Sequence, residues 1–229
     1  MRCSFVVALL LLSCAGVPDP PAPGTAQVWG QLRLVPREGV TPGGPGGASY
    51  GDRRLRDVEF VDYARPGFAV VYVQDKEPPG GLLELSIRAF RAGTRLEPAH
   101  GAVGAGGRIV VRNASPDAHV FSYPAAGLVQ RLQPGESAEL RVARAGEQGL
   151  FVLDVPAPGA TVFAAPGAFD VVSASGRFAL RNLRPGHREL RVWHPRFPPV
   201  VRHVELAPNA SVEVDLELGV GRKGHAHVH

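Results

Sequence analysis

At 229 residues, with 45% apolar side chains and a formal charge of +4, the chain has the composition of a folded protein of one large or two small domains. Its only methionine is Met1 and its only cysteines are Cys3 and Cys14, so neither a disulfide framework nor a cysteine-based metal site is expected beyond the front of the chain. Lysine occurs only at Lys76 and Lys223, no basic cluster is interleaved with aromatics, and no apolar run is long enough to span a bilayer; nucleic acid is therefore not an expected partner.

The chain opens with Arg2 and a dense apolar stretch from Phe5 to Leu12, the pattern of a secretory signal. Leu11-Leu12-Ser13-Cys14, followed by the small Ala15, resembles a bacterial lipobox. That resemblance implies cleavage before Cys14 and acylation of its sulfur. Two or more acyl chains would hold the protein on a membrane, each buried methylene contributing about 0.8 kcal/mol. The alternative is cleavage after Ala15, where Ser13 and Ala15 form a small-x-small site, which releases a soluble protein. Residues 1–15 are thus expected to be a signal peptide. The expected location is the cell envelope, on the periplasmic face of an outer membrane, or else periplasmic or secreted. Residues 16–25 contain the proline-rich run V-P-D-P-P-A-P-G and read as a stiff spacer between membrane and domain.

From Ala26 onward the periodicity is that of short strands. Gln27 to Leu34 alternates, with Val28, Leu32 and Leu34 on one side. Gly39 to Gly51 is rich in Gly and Pro and reads as a loop. Phe68–Val73 and Ile109–Val111 are compact apolar strands, the second closed by Asn113. Gly80 to Phe90 fits a strand or a short helix, and we read it as a strand. Ala138, Leu140 and Val142 alternate with Glu139 and Arg141, and Ala160–Ala164 reads as the last strand of a first unit. Val212, Val214, Leu216 and Leu218 alternate with polar residues and predict one strand with a buried and a wet face. Pro134-Gly135, Ser175-Gly176 and Pro185-Gly186 mark turns. The expected fold class is all-β, two β-sandwich domains, with the boundary between residues 165 and 166.

Two runs carry family resemblances. In S-G-R-F-A-L-R-N-L-R-P-G-H-R-E-L-R-V-W-H-P-R-F, Ser175 to Phe197, Gly176 permits a turn. Phe178 and Leu180 point inward, Pro185-Gly186 turns the chain, and Leu190 and Val192 continue the buried face. This run resembles the transthyretin-like, carboxypeptidase-regulatory-like domains, and residues 166–219 are expected to form one. Such domains also share the label of a carbohydrate-binding-like fold, which makes glycan recognition one alternative function. Trp193 lies on the other side of its strand and is expected to pack against the first unit. His194 is expected to be a strand-end histidine with a hydrogen-bond partner.

Arg108 to Pro124, R-I-V-V-R-N-A-S-P-D-A-H-V-F-S-Y-P, together with Leu132-Gln133-Pro134-Gly135-Glu136-Ser137, resembles the bacterial cupredoxin-like proteins of the methylamine-utilisation and plastocyanin-like kind. A cupredoxin-like Greek-key domain is accordingly expected over residues 26–165. A blue-copper centre needs two imidazoles and a thiolate, with a weak axial methionine. In the family the last three lie in a C-x-x-H-x-x-M run. Here Phe151 falls in the Cys slot, Asp154 in the His slot and Ala157 in the Met slot, or Val152 in the Cys slot on a one-residue shift. With no cysteine after Cys14, neither count supplies sulfur. The first His slot falls on His119 counting from Asn113, or on Ala118 counting back from Val120-Phe121-Ser122. The resemblance therefore implies a domain whose copper ligands are mostly lost. His100, His119 and Asp154 remain a conceivable nitrogen and oxygen site only if the fold gathers them.

Residues 220–229 form a glycine-led tail in which His225, His227 and His229 alternate, a pattern suited to weak binding of Cu or Zn. No catalytic constellation is present: Ser122 lacks a G-x-S-x-G elbow, and Gly101–Gly107 lacks the Lys-Ser/Thr of a phosphate loop. The sequence reading is thus a non-enzymatic envelope lipoprotein of structural or interaction role, partnered with protein or a cell-surface polymer, with no cofactor expected beyond weak Cu or Zn. The alternatives are a metal-binding protein using His119 or the tail and a carbohydrate-binding module.

Overall fold

The structure is a computed structural model in which residues 19–36, 61–75, 79–91, 93–155 and 159–219 are described. Cys14, the signal region, the 39–51 loop, Ala157 and the histidines of the tail lie outside them. The chain is all-β. Its strands are β1 (Ala26–Val35), β2 (Val70–Val73), β3 (Leu82–Phe90), β4 (Gly93–Glu97), β5 (His100–Gly104), β6 (Arg108–Asn113), β7 (His119–Tyr123), β8 (Leu128–Leu132) and β9 (Ser137–Arg141). They continue with β10 (Gly146–Val152), β11 (Ala160–Ala165), β12 (Phe169–Val171), β13 (Arg177–Leu183), β14 (Gly186–Trp193), β15 (Val200–Leu206), β16 (Ser211–Glu213) and β17 (Leu216–Gly219).

Two sandwiches result. In the first, the sheet β4-β3-β6-β9 faces the sheet β5-β11-β10-β7-β8. Between them lies a core that includes Leu85, Ile87, Ile109, Val111, Phe121, Leu132 and Leu150, each fully buried. The alternation of β6 and β9 produces this directly: Ile109, Val111, Ala138 and Leu140 turn inward while their neighbours stay wet. Residues 82–90 are a strand, paired in parallel with β6 and antiparallel with β4.

The second sandwich packs β13-β1-β16, with β17 also on β1, against β12-β2-β14-β15. Val28, Leu32, Phe178, Leu180, Leu190, Val192 and Leu206 share its core. Burying each such leucine contributes roughly 2 kcal/mol. This corrects the expected division of the chain at residues 165/166. The strands β1 and β2, expected in the first domain, are hydrogen-bonded to β13, β16 and β17 and to β12 and β14, and sit in the second core. Their periodicity gives strand and face but not partner, so sequence order assigned them to the wrong sandwich. The spacer is also partly docked: Gly24 N donates to Asn209 Oδ1 at 2.7 Å, Gln27 Nε2 donates to the Asp19 carbonyl at 2.8 Å, and Asn209 N to that of Thr25 at 2.6 Å.

The alternating segment 211–218 is two strands, not one. At Gly30 a Cβ would lie 2.0 Å from the Val214 carbonyl oxygen, so only glycine lets this segment run so close beside β1 where the two strands meet. Between the two strands, the Asp215 carboxylate accepts from Gln31 N at 3.1 Å in place of a ladder partner.

An aromatic seam joins the sandwiches. Trp193, on the outward face of β14, stacks on Phe163 of β11 with centroids 4.9 Å apart and planes 18° from parallel. Tyr72 lies 5.0 Å from the same Phe163 ring, and Phe68 meets Trp193 edge-on. Val70 and Ala165 are fully buried beside them. The expected packing of Trp193 against the first unit is what the structure contains.

Candidate functional site: the His119–Asp154 pair

The loop from β6 to β7 reads N-A-S-P-D-A-H, and Asn113 organises it. Its Oδ1 accepts from Ser115 N at 3.0 Å, the side-chain turn that Asn makes two residues on. Its Nδ2 donates to the carbonyls of Asp117 at 2.7 Å and Leu132 at 3.0 Å. Asn113 is fully buried, and these bonds fix where β7 begins. The sequence reading took Asn113 only as a strand end; N-x-S-x-D was the available signal for its positioning role.

His119, the first residue of β7, pairs with Leu132 and turns inward, 5% exposed. Its Nδ1 lies 2.9 Å from Asp154 Oδ2, while Asp154 Oδ1 accepts from Val120 N at 2.9 Å. One carboxylate thus clamps two successive residues of β7 from the end of β10. An ionised carboxylate only accepts, so it places a proton on His119 Nδ1, and in the neutral ring the lone pair then sits on Nε2. That Nε2 is buried and, among the described residues, has no hydrogen-bond partner. Burial is the largest single influence on the Asp154 carboxyl and acts to raise its pKa. The bonds from the Val120 amide, the His119 ring and its own amide together outweigh burial and hold the carboxyl below its ordinary value.

The two positions that the family resemblance assigned to imidazole ligands, His119 and Asp154, therefore meet in space. His119, not Ala118, faces inward. Of the two residues considered for the Cys slot, Val152 pairs with Phe121, shares the face of His119 and is buried, whereas Phe151 turns outward and is 41% exposed. Neither carries sulfur. The donor set does not fit a blue-copper centre: one imidazole and one carboxylate are present, already bonded to each other. A lone pair on a buried imidazole backed by a carboxylate is half of a metal site in ligand chemistry. Among the described residues, however, no group of three or more His, Cys, Asp or Glu is arranged to hold a metal.

His100 is not part of this arrangement. It stacks on Phe68 at 5.7 Å and lines a cleft of about 320 Å³ at the junction of the sandwiches, with Arg65, His194 and Arg196. In that cleft His194 is fully satisfied: Nε2 donates to the Pro66 carbonyl at 3.0 Å and Nδ1 accepts from Arg196 N at 3.0 Å. Burial, the largest influence, pushes its pKa below the ordinary value, against the raising effect of the Pro66 bond. His194 is a structural histidine of the kind expected.

Comparison with known proteins bears on the same two regions. The sequence profile of the Carboxypeptidase regulatory-like domain matches residues 151–219. No curated protein matches. Among solved structures, the chain is similar to a purple cupredoxin from Nitrosopumilus maritimus at 16% identity, covering 36% of this chain and 99% of that one with a TM-score of 0.32. A reduced Cu(I) form of an amicyanin mutant is similar at 13% identity, covering 41% of this chain and 97% of that one with a TM-score of 0.30. These TM-scores are too low to add to the topology described above. The family match spans the run around Phe178 and Trp193, and the chain thus carries a carboxypeptidase regulatory-like domain, completed by strands from well before residue 151.

Proposed function

We propose that the chain is a non-enzymatic protein of the cell envelope, anchored through Cys14, whose first sandwich keeps a cupredoxin-like frame with a hydrogen bond where metal ligands would stand. The observation that carries this reading is the His119–Asp154 bond, which uses the one imidazole and the one carboxylate facing each other at that end of the sandwich. A protein built this way offers copper no sulfur and transfers no electron through a blue site. Its role is structural or binding, and its partner is a protein or a cell-surface polymer met at a distance set by the segment after Cys14.

The test has two parts. Full-length protein titrated with Cu(II) is expected to stay without the intense visible band of copper–thiolate coordination; appearance of that band would overturn the reading. Cells fed a palmitate analogue are expected to label the wild type and not Cys14→Ser. Label on both forms, or on neither, would remove the lipid anchor.

A further inference from the structure

We propose a binding site for a divalent transition-metal ion on the outer face of the hairpin β14–β15, formed by His187, His203 and Glu205. The register brings them together. His187 is paired with Glu205 and Glu189 with His203, so these alternate residues form a two-by-two block on one face. The His187 and His203 rings lie parallel, 16° apart in plane and 5.3 Å between centroids, and His187 Nδ1 is 3.5 Å from Glu205 Oε2. Glu189 is engaged by the Arg191 guanidinium, which leaves two imidazoles and one carboxylate for a ligand.

This donor set selects the ion. Imidazole suits Zn, Cu(II) and Ni(II), whereas Mg and Ca prefer sites built of oxygen. Opposite and diagonal neighbours on an antiparallel pair lie within reach of long side chains. Both rings can therefore approach one ion at the roughly 2.0–2.1 Å of a zinc–nitrogen bond. In their present rotamers no three such groups converge. The side chains of His187 and Glu205 are 66% and 73% exposed, and His203 is exposed too, so convergence needs rotation about side-chain bonds only, on a scaffold paired along its whole length. A third protein ligand still leaves a coordination position for water. The site is separate from His119 and from the tail, and it does not depend on the function proposed above. His187 and His203 are sixteen positions apart in the sequence, and only the strand register makes them neighbours.

The test uses the full chain with His225, His227 and His229 replaced by alanine, titrated calorimetrically with ZnCl2 and CuCl2. One ion per chain is expected. His187→Ala and His203→Ala in that background are each expected to weaken binding at least about tenfold, roughly 1.4 kcal/mol. Glu205→Gln should weaken it less, with the thermal midpoint of all three unchanged in the absence of metal. No binding by the tail-substituted chain would overturn the proposal. So would binding that either histidine substitution leaves intact.

Discussion

Two buried histidines, His119 in the first sandwich and His194 in the cleft between the sandwiches, are held in opposite ways. His194 has both ring nitrogens bonded to backbone, and burial pushes its pKa below the ordinary value. His119 has one nitrogen bonded to a carboxylate and the other buried with no partner among the described residues. A side chain kept only for packing is normally satisfied, because an orphaned buried polar atom costs about 1–3 kcal/mol. The difference teaches that His194 is scaffold, whereas His119 presents a buried ring nitrogen to which the described residues offer no partner.

The largest effect should come from removing what places His119. Asn113→Ala strips two donors and an acceptor from the β6–β7 loop, and chemical denaturation should show a loss of about 3 kcal/mol. His194→Ala should cost about 2 kcal/mol in the same measurement, since it leaves the Pro66 carbonyl and the Arg196 amide without their partner. His119→Leu should cost no more than about 1 kcal/mol, because loss of the bond to Asp154 is offset by removal of the orphaned nitrogen. Equal costs for the last two would erase the contrast between them.

The smallest effect is on pH dependence, where both groups lose stability as pH falls, each in its own window. The His194 pKa is depressed in the fold, so the unfolded chain binds the extra proton first. Stability attributable to it is present above the ordinary value of 6.5 and falls as pH drops below it towards the folded value. The Asp154 pKa is also depressed; its contribution is present above the ordinary 3.8 and is lost as pH falls through the folded value. Denaturation midpoints measured across pH should lose the upper slope in His194→Phe and part of the lower slope in Asp154→Asn.

Much of this molecule was legible as sequence. Alternation located the strands and their buried faces: Val28, Leu32, Phe178, Leu180, Leu190 and Val192 all lie in a core. Periodicity does not name a partner, however, and so β1 and β2 were placed with the sandwich that follows them in sequence, not the one that holds them. The kink that divides 211–218 was hidden because it depends on Gly30 from a distant strand. At the site, the family resemblance brought forward His119 and Asp154, which meet. His100 is equally suitable by residue type and sits in another cleft, since residue type carries no information on distance. His187 and His203 were passed over for the same reason.

The central claim is about the tautomer: in the neutral His119 ring, Asp154 holds the proton on Nδ1 and leaves Nε2 bare. The 15N resonances of the His119 ring, recorded at neutral pH in wild type and in Asp154→Ala, measure this directly. The account predicts a protonated Nδ1 and an unprotonated Nε2 in the wild type, with that preference lost in the variant. A proton on Nε2 in the wild type, or a ring spectrum indifferent to the loss of the carboxylate, would contradict it.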